Sequence, residues 1–379
     1  MKNTLRKIFL LTATLILTVI CLAFSASAKT YGDFTYRILP DCTIEITAYN
    51  GKATAVEVPV KIKNTNVTSI GYSAFENNKT VKSVALPDTI KKIGSNAFNN
   101  CTKLSKINIP DSVTEINYQA FSNCKRLKKL SIPDSVTKID SRAFENCAWY
   151  INQPDGFVYA GKVLYSYKGK MPKNTSLKTK SGTKAFANYA LQNQTNLVSL
   201  IIPDSITEIT YGVFSGCENL RTVKLPKSLK RINSWAFHGC EKLSKINLTG
   251  VERVGENAFY NTAWYNGQPK GVVYIGKSLY KYKGTMPKNT SIKIKSGTKY
   301  ITWGAFRNCT GLKSVTFPDS LISIEPEVFY GCKNLQSVSL PKNLESIGPD
   351  VFYNCTKLKR VTVSDNVKTI GMGAFKNTA

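Results

Sequence analysis

His238 is the only histidine in the chain. Any Cys–His or Ser–His nucleophilic device would therefore have to be built on it. It directly follows a phenylalanine in the segment AFHGC, and its neighbourhood offers no evident orienting acid. The cysteines do not take the spacing of a zinc site or a disulfide framework. Eight of them, Cys101, Cys124, Cys147, Cys217, Cys240, Cys309, Cys332 and Cys355, occupy one repeated position. Such a position suits a small apolar side chain with a weak S–H donor; a ladder of reactive thiols is the competing chemistry. The carboxylates are also repetitive. Asp88, Asp111, Asp134, Asp204 and Asp319 each follow a proline, where Asp favours a turn. Gly-rich phosphate loops, calcium loops and metal-ligand spacings are absent from the sequence. The chemistry this excludes is enzymatic: no catalytic, metal or cofactor residue is assigned.

What remains is charge. The chain carries 52 Lys and Arg against 24 Asp and Glu, a formal net charge of +28. Within CKRLKKLSIP, Lys125, Arg126, Lys128 and Lys129 crowd four cations into five positions. Such a chain attracts polyanions in a salt-dependent way. Nucleic acid would satisfy the charge, but no recognition module is present, so no specific nucleic acid is expected as a partner.

The elements that position these charges follow from a repeat. An aromatic or aliphatic anchor recurs at Phe75, Phe98, Phe121, Phe144, Leu191, Phe214, Phe237, Phe259, Phe306, Phe329, Phe352 and Phe375. Most intervals are 23 residues, one is 22, and two are 47, about two periods. The motif is A-F-x-x-C-x-x-L-x-x-I-x-I-P-D-S-V-T-x-I. A period of this length with spaced aliphatics is that of a leucine-rich-repeat solenoid, in which no unit can bury its apolar face alone but stacked units share a core. In one rung Leu104, Ile107 and Ile109 point inward from a short strand, Pro110-Asp111-Ser112 turns the chain, and Ile116 then Ala120-Phe121 return to the core. The A-F-x-x-C part is expected as a short helical or 3-10 turn. The fold class is thus a mostly β leucine-rich-repeat solenoid of about thirteen rungs, each a short concave strand, a turn and a short helical segment.

These residues closely resemble the BspA-like, or Treponema pallidum-type, class of leucine-rich repeats found in bacterial surface and secreted proteins. The matching stretches are AFNNCTKLSKINIPDSVTEI (97–116), AFSNCKRLKKLSIPDSVTKI (120–139) and VFYGCKNLQSVSLPKNLESI (328–347). The resemblance runs from about Val67 to the end of the sequence. It implies the fold strongly. For function it implies an adhesion or a host- and matrix-binding role in some similar proteins and nothing in others.

The organisation reads as follows. Residues 1–28 have a basic start (Lys2, Arg6, Lys7), an uncharged apolar run and an Ala26-Ser27-Ala28 exit, the pattern of a secretory signal peptide. Cleavage would lower the net charge to +25 by removing those three cations. It would leave no membrane span, and the protein would be secreted or extracellular, retained at the bacterial cell surface or not. Residues 29–66 read as an N-terminal β-hairpin cap with Cys42 in its turn. Leucine-rich repeats occupy 67–147, 185–262 and 300–379, the last stopping mid-repeat at AFKNTA. Near-identical inserts at 148–184 and 263–299 each replace a rung with a β-hairpin. Copies 115 residues apart imply duplication of a larger module.

Two sets of residues are candidates for ligand contact. Positions 7, 8 and 10 past the anchor should face outward from nine regular strands. Of those 27 positions ten are basic and none acidic, where composition alone predicts about four and two. The ten are Lys82, Lys106, Lys128, Lys129, Arg221, Lys224, Lys245, Lys313, Lys359 and Arg360. Over thirteen rungs they would line a basic trough on the order of 60 Å long. An extended anionic ligand would fit it: an acidic glycan, teichoic acid, a matrix component or an acidic protein surface. Solvated Lys and Ser that keep an exposed sheet from aggregating would read the same way. The second set is Tyr159, Tyr165 and Tyr167 with Tyr274, Tyr280 and Tyr282. These could stack on sugar rings or pack across the hairpin strands. In the alternative function, loops and Tyr-rich hairpins bind host, matrix or other surface proteins and the charge is incidental.

Overall fold

The structure, a computed structural model, describes residues 28–379. The signal-peptide reading of residues 1–28 thus falls, but for its last residue, outside the described residues. The chain forms two compact units, one built from residues up to Lys170 with Lys184–Ala190, the other from Met171–Thr183 with Leu191–Ala379.

In the first unit, Lys29–Tyr31, Phe34–Ile38 and Ile44–Tyr49 form an antiparallel meander. Its third strand pairs in parallel with Thr65–Ile70, which continues through Lys92–Ile93, Glu115–Ile116 and Lys138–Ile139. These two-residue strands follow the proline turn of each rung and are called trailing strands below. The leading strands, entered after C-x-x-L, form a separate parallel sheet of Ala55–Glu57, Ser83–Ala85 and Lys106–Ile107. Most rungs therefore contribute one strand to each of two ladders, and the core lies between them. Gly156–Ala160 and Val163–Lys168 make the antiparallel hairpin of the first insert, and the second of these strands pairs in parallel with Ala185–Phe186.

The second unit repeats this plan. Its leading strands form two sheets: Thr175–Lys178, Leu197–Ile201, Thr222–Lys224 and Lys245–Ile246 in one, then Thr290–Lys293, Leu312–Thr316, Ser337–Ser339 and Arg360–Thr362 in the other. The hairpin Gly271–Ile275 and Ser278–Lys283 joins the trailing strands Tyr300–Ile301, Ser323–Ile324, Ser346–Ile347 and Thr369–Ile370.

The anchor phenylalanines stack face to face on successive rungs. Phe98, Phe121 and Phe144 lie 5.4 and 5.7 Å apart in the first unit, and Phe306, Phe329 and Phe352 lie 5.4 and 5.3 Å apart in the second. That spacing is the strand spacing of a parallel ladder plus a small offset, the geometry aromatic rings prefer. Tyr49 of the meander extends the first stack, 5.1 Å from Phe75. The hydrophobic surface at that end is thus covered by the preceding strands, as a solenoid end requires.

The A-F-x-x-C segment is a run of hydrogen-bonded turns. Two residues per rung, the one two before the anchor and the one two after it, are left-handed. Asn96 and Asn100 have φ of 56° and 59°, and Gln119 and Asn123 of 52° and 57°. The later position is Asn or Gly throughout, with Gly216 at φ 73°, because those residues adopt this conformation most easily. The earlier position tolerates even Arg142, Trp235 and Glu327. These left-handed residues break the helix. Among the described residues, short α-helices occur in the inserts, at Ala148–Ile151 and Ala263–Asn266.

The expected strand through Lys128 and Lys129 does not form. Residues 128–132 are exposed or half-buried loop, and the leading sheet of the first unit ends at Lys106–Ile107. The rung that follows presents the helix Ala148–Ile151 in place of a partner strand. The leading ladder is therefore a set of short sheets and not one uninterrupted trough.

Candidate functional site

All ten predicted cations are exposed. Lys106, Lys224, Lys245, Lys313 and Arg360 lie within leading strands. Lys82, Arg221 and Lys359 stand one residue before such a strand or at its edge, and Lys128 and Lys129 lie in the loop just described. Among the described residues none of the ten has an ion-pair partner.

Their register explains how so many like charges share a ladder. Ser83 stands opposite Lys106, Thr222 opposite Lys245 and Ser337 opposite Arg360. Cations on neighbouring rungs are thus staggered with hydroxyl residues between them. Like charges directly opposite one another would destabilise the sheet.

The trailing ladder has the opposite electrostatics. There Lys138 pairs with Glu115 at 3.4 Å. In the second unit Arg231 pairs with Glu208 at 2.5 Å, Arg253 with Glu325 at 2.8 Å, and Lys277 with Glu252 at 3.1 Å. Glu252 is held below the usual carboxylate range, first by the hydrogen bond from Lys277 and then by its charge. Several cations of the trailing ladder are neutralised within the fold, and those of the leading ladder are left to solvent.

Sequence reasoning missed two members of the leading set. Lys178 and Lys293 end the insert strands Thr175–Lys178 and Thr290–Lys293 and are exposed. Lys178 lines up with Ile201, which in turn lines up with Lys224. The signal was the shared T-S-x-K of the two inserts, obscured because the hairpin interrupts the motif.

The tyrosines divide. Tyr165 and Tyr280 are buried, with 7% and 3% of their surface exposed, so neither ring can receive a sugar. Their hydroxyls accept the backbone N–H groups of Phe144 and Phe259 at 3.1 and 3.0 Å. Burial pushes both phenols up. Phe157 packs edge-on against its cross-strand partner Tyr167 at 5.7 Å. Tyr282 lies 6.2 Å from the ring of Phe306, and the Tyr274 hydroxyl accepts the N–H of Lys295 at 3.0 Å. Tyr159 lies 6.1 Å from Phe157. The hairpin aromatics are built into the sheets.

Among the described residues no nucleophilic device is assembled around His238. Its ring lies 4.4 Å from Trp235 and 5.4 Å from Tyr260, parallel to the latter within 14°. Desolvation lowers its pKa from 6.5. The repeated cysteines face the core. Cys101, Cys124, Cys217, Cys240, Cys332 and Cys355 donate S–H to the anchor carbonyl of the preceding rung at 3.0 to 3.2 Å. Burial pushes the thiols of Cys101, Cys217 and Cys355 up to about 12. Among the described residues no three His, Cys, Asp or Glu side chains are grouped to hold a metal. Nor is any helix there long and apolar enough to cross a membrane.

The family model described as a BspA-type leucine-rich repeat region matches residues 43–157, 164–286 and 273–379. Among solved structures the chain is similar to a leucine-rich repeat protein from Bacteroides ovatus, 27% identical over 92% of each chain with a TM-score of 0.33. A leucine-rich cell surface protein from Faecalibacterium prausnitzii is 28% identical over 93% of each chain, with a TM-score of 0.32. The leucine-rich repeat protein of T. pallidum is 28% identical over 57% of this chain and 91% of its own, with a TM-score of 0.36. No curated protein matches the sequence. With the matched segments covering most of its length, the chain belongs to the BspA-type leucine-rich repeat family.

Proposed function

We propose that this is a non-enzymatic binding protein, exported to the cell exterior, whose leading-strand face takes an extended anionic ligand: an acidic glycan, teichoic acid, a matrix component or an acidic protein surface. One observation carries this reading. The ten leading cations have no ion-pair partner among the described residues, while several trailing cations, Lys138, Arg231 and Arg253 among them, are ion-paired. Unpaired like charges on neighbouring rungs repel by about 1 kcal/mol at 4 Å in water. A polyanion bound along the leading strands of a unit relieves that repulsion there, and added salt competes with it.

Retention of the mature chain on heparin tests the reading. Replacing Lys128, Lys129, Lys224 and Lys245 together by Gln should lower the eluting salt concentration markedly. Replacing Lys91, Lys92, Lys138 and Lys368 of the trailing side makes the same change in net charge and should lower it much less. Equal shifts for the two variants would reduce the array to bulk charge and sink the proposal.

A further inference from the structure

The second unit also holds a compact basic cleft beside its leading strands. It has a volume of about 250 Å³ and is lined among others by Lys173, Asn174, Asn196, Asn219, Arg221 and Lys242, with no acid in its wall. Its cations come from separate rungs, and hydrogen bonds position Lys242 and the loop that carries Lys173. The Asn219 amide donates to the Thr195 carbonyl at 2.8 Å, which turns its oxygen to accept Lys242 Nζ at 2.6 Å. The Asn196 amide donates to the Met171 carbonyl at 2.8 Å, and the Thr175 N–H donates to the Asn196 carbonyl at 2.9 Å. Those two bonds fasten the loop that carries Lys173.

A larger cleft of about 340 Å³ on the trailing side is lined by Arg231, Arg253 and Glu325. Both of its arginines are already paired with carboxylates, so it has no demand for an anion. The basic cleft has three cations and nothing to neutralise them.

We infer that the basic cleft binds one phosphate monoester group, carried as a terminus or substituent of the polyanion proposed above; in that respect it rests on the reading of the strand face. A phosphate monoester bears about −1.5 to −2 charges at pH 7 and three acceptor oxygens. Three convergent cations match that charge better than they match a singly charged carboxylate or sulfate ester. Arg221 supplies a planar two-pronged donor, and Lys173 and Lys242 act as point charges on the remaining oxygens.

The duplicated module gives an internal comparison. It keeps Lys288, Asn289, Asn334 and Lys357 at the corresponding positions, and the Asn334 amide donates to the Thr310 carbonyl at 2.7 Å. Gln336 replaces Arg221, and Lys313 stands where the first copy has Val198. The arginine fork belongs to the first copy alone, and Gln is a residue this position accepts.

Calorimetric titration of the full mature chain at low salt with methyl phosphate, methyl sulfate and acetate tests the site. One methyl phosphate should bind per chain, at least about tenfold more tightly than either other probe, and binding should weaken as the pH falls below about 6, where the ester loses its second charge. Arg221→Gln should weaken it by about tenfold, the loss of a charge-assisted pair of hydrogen bonds, without altering the thermal unfolding midpoint. Equal binding of the three probes, or an unchanged affinity in Arg221→Gln, would overturn the assignment. The two readings fail separately. Loss of heparin retention in the strand-face variant with no methyl phosphate site refutes the cleft alone. Methyl phosphate binding with unaltered heparin retention refutes the strand face alone.

Discussion

The hydroxyl of Tyr165 accepts the backbone N–H of Phe144 at 3.1 Å. In the regular rungs that N–H donates to a carbonyl: Phe98 to Ala120 at 2.8 Å and Phe121 to Ala143 at 2.7 Å. The insert lacks the Ala-Phe turn that would offer the carbonyl, and a tyrosine reaches in from the hairpin to replace it. Tyr280 does the same for Phe259. Removing either oxygen strands a buried donor. Tyr165→Phe and Tyr280→Phe should each cost about 1–3 kcal/mol in urea unfolding. Tyr159→Phe, whose ring is only half-buried, should cost less.

The phenylalanine stack predicts a gradient of sensitivity. Phe121 is fully buried between Phe98 and Phe144. Its replacement by Ala should cost about 3–5 kcal/mol. Phe375 has one stacking neighbour, Phe352, and is half-buried, so Phe375→Ala should fall well below that range in the same denaturation experiment.

Thiol reactivity should follow burial. With a thiol pushed up to about 12, the thiolate fraction of Cys101 at pH 8 is on the order of 10⁻⁴. Peptide-level mass spectrometry after iodoacetamide treatment of the native protein should find Cys101, Cys124, Cys217, Cys240, Cys332 and Cys355 unmodified. Cys309, the least buried of the eight repeat cysteines, should react first. Rapid labelling of the six would contradict the S–H contacts to the anchor carbonyls.

His238 gives a single imidazole signal for a pH titration. Desolvation lowers its folded pKa from 6.5, so the unfolded chain binds more protons in the window between the lowered value and 6.5. The contribution to stability is present above 6.5 and is lost as the pH falls through the folded pKa. It is small, because the ring is only half-buried. Trp235→Gly, which keeps the left-handed backbone and removes the neighbouring ring, should move the NMR midpoint back toward 6.5. An unchanged midpoint would show that Trp235 does not desolvate the imidazole.

The period exposed the anchors, the core cysteines and the inward aliphatics because one side chain recurs wherever one environment recurs. Phe98, Cys101 and Leu104 are all buried. The outward placement of Lys106 and Lys224 followed from the same register. Other features left no repeated residue type. Arg142, Trp235 and Glu327 share a left-handed backbone but no chemistry. The pairing of Arg253 with Glu325 spans 72 residues and bypasses the insert, so no local motif announces it. The break at 128–132 has no sequence signal: the equivalent Lys245–Ile246 forms a strand although the same kind of helix, Ala263–Asn266, follows it. The cleft at Lys173, Arg221 and Lys242 combines three rungs, none of which is unusual alone.

The spacing of the two inserts bears on how such a chain changes length. Their sequences are nearly superimposable 115 residues apart, an interval that spans five anchor steps when each 47-residue gap counts as two. Unequal crossing-over between the two coding copies would therefore add or delete five whole rungs. It would join a Tyr-capped hairpin to the rung it already fits and leave both strand ladders in phase. Each hairpin would then serve as a splice point: the strand ladders could be lengthened or shortened in one genetic event without a frame of side chains turning from core to solvent.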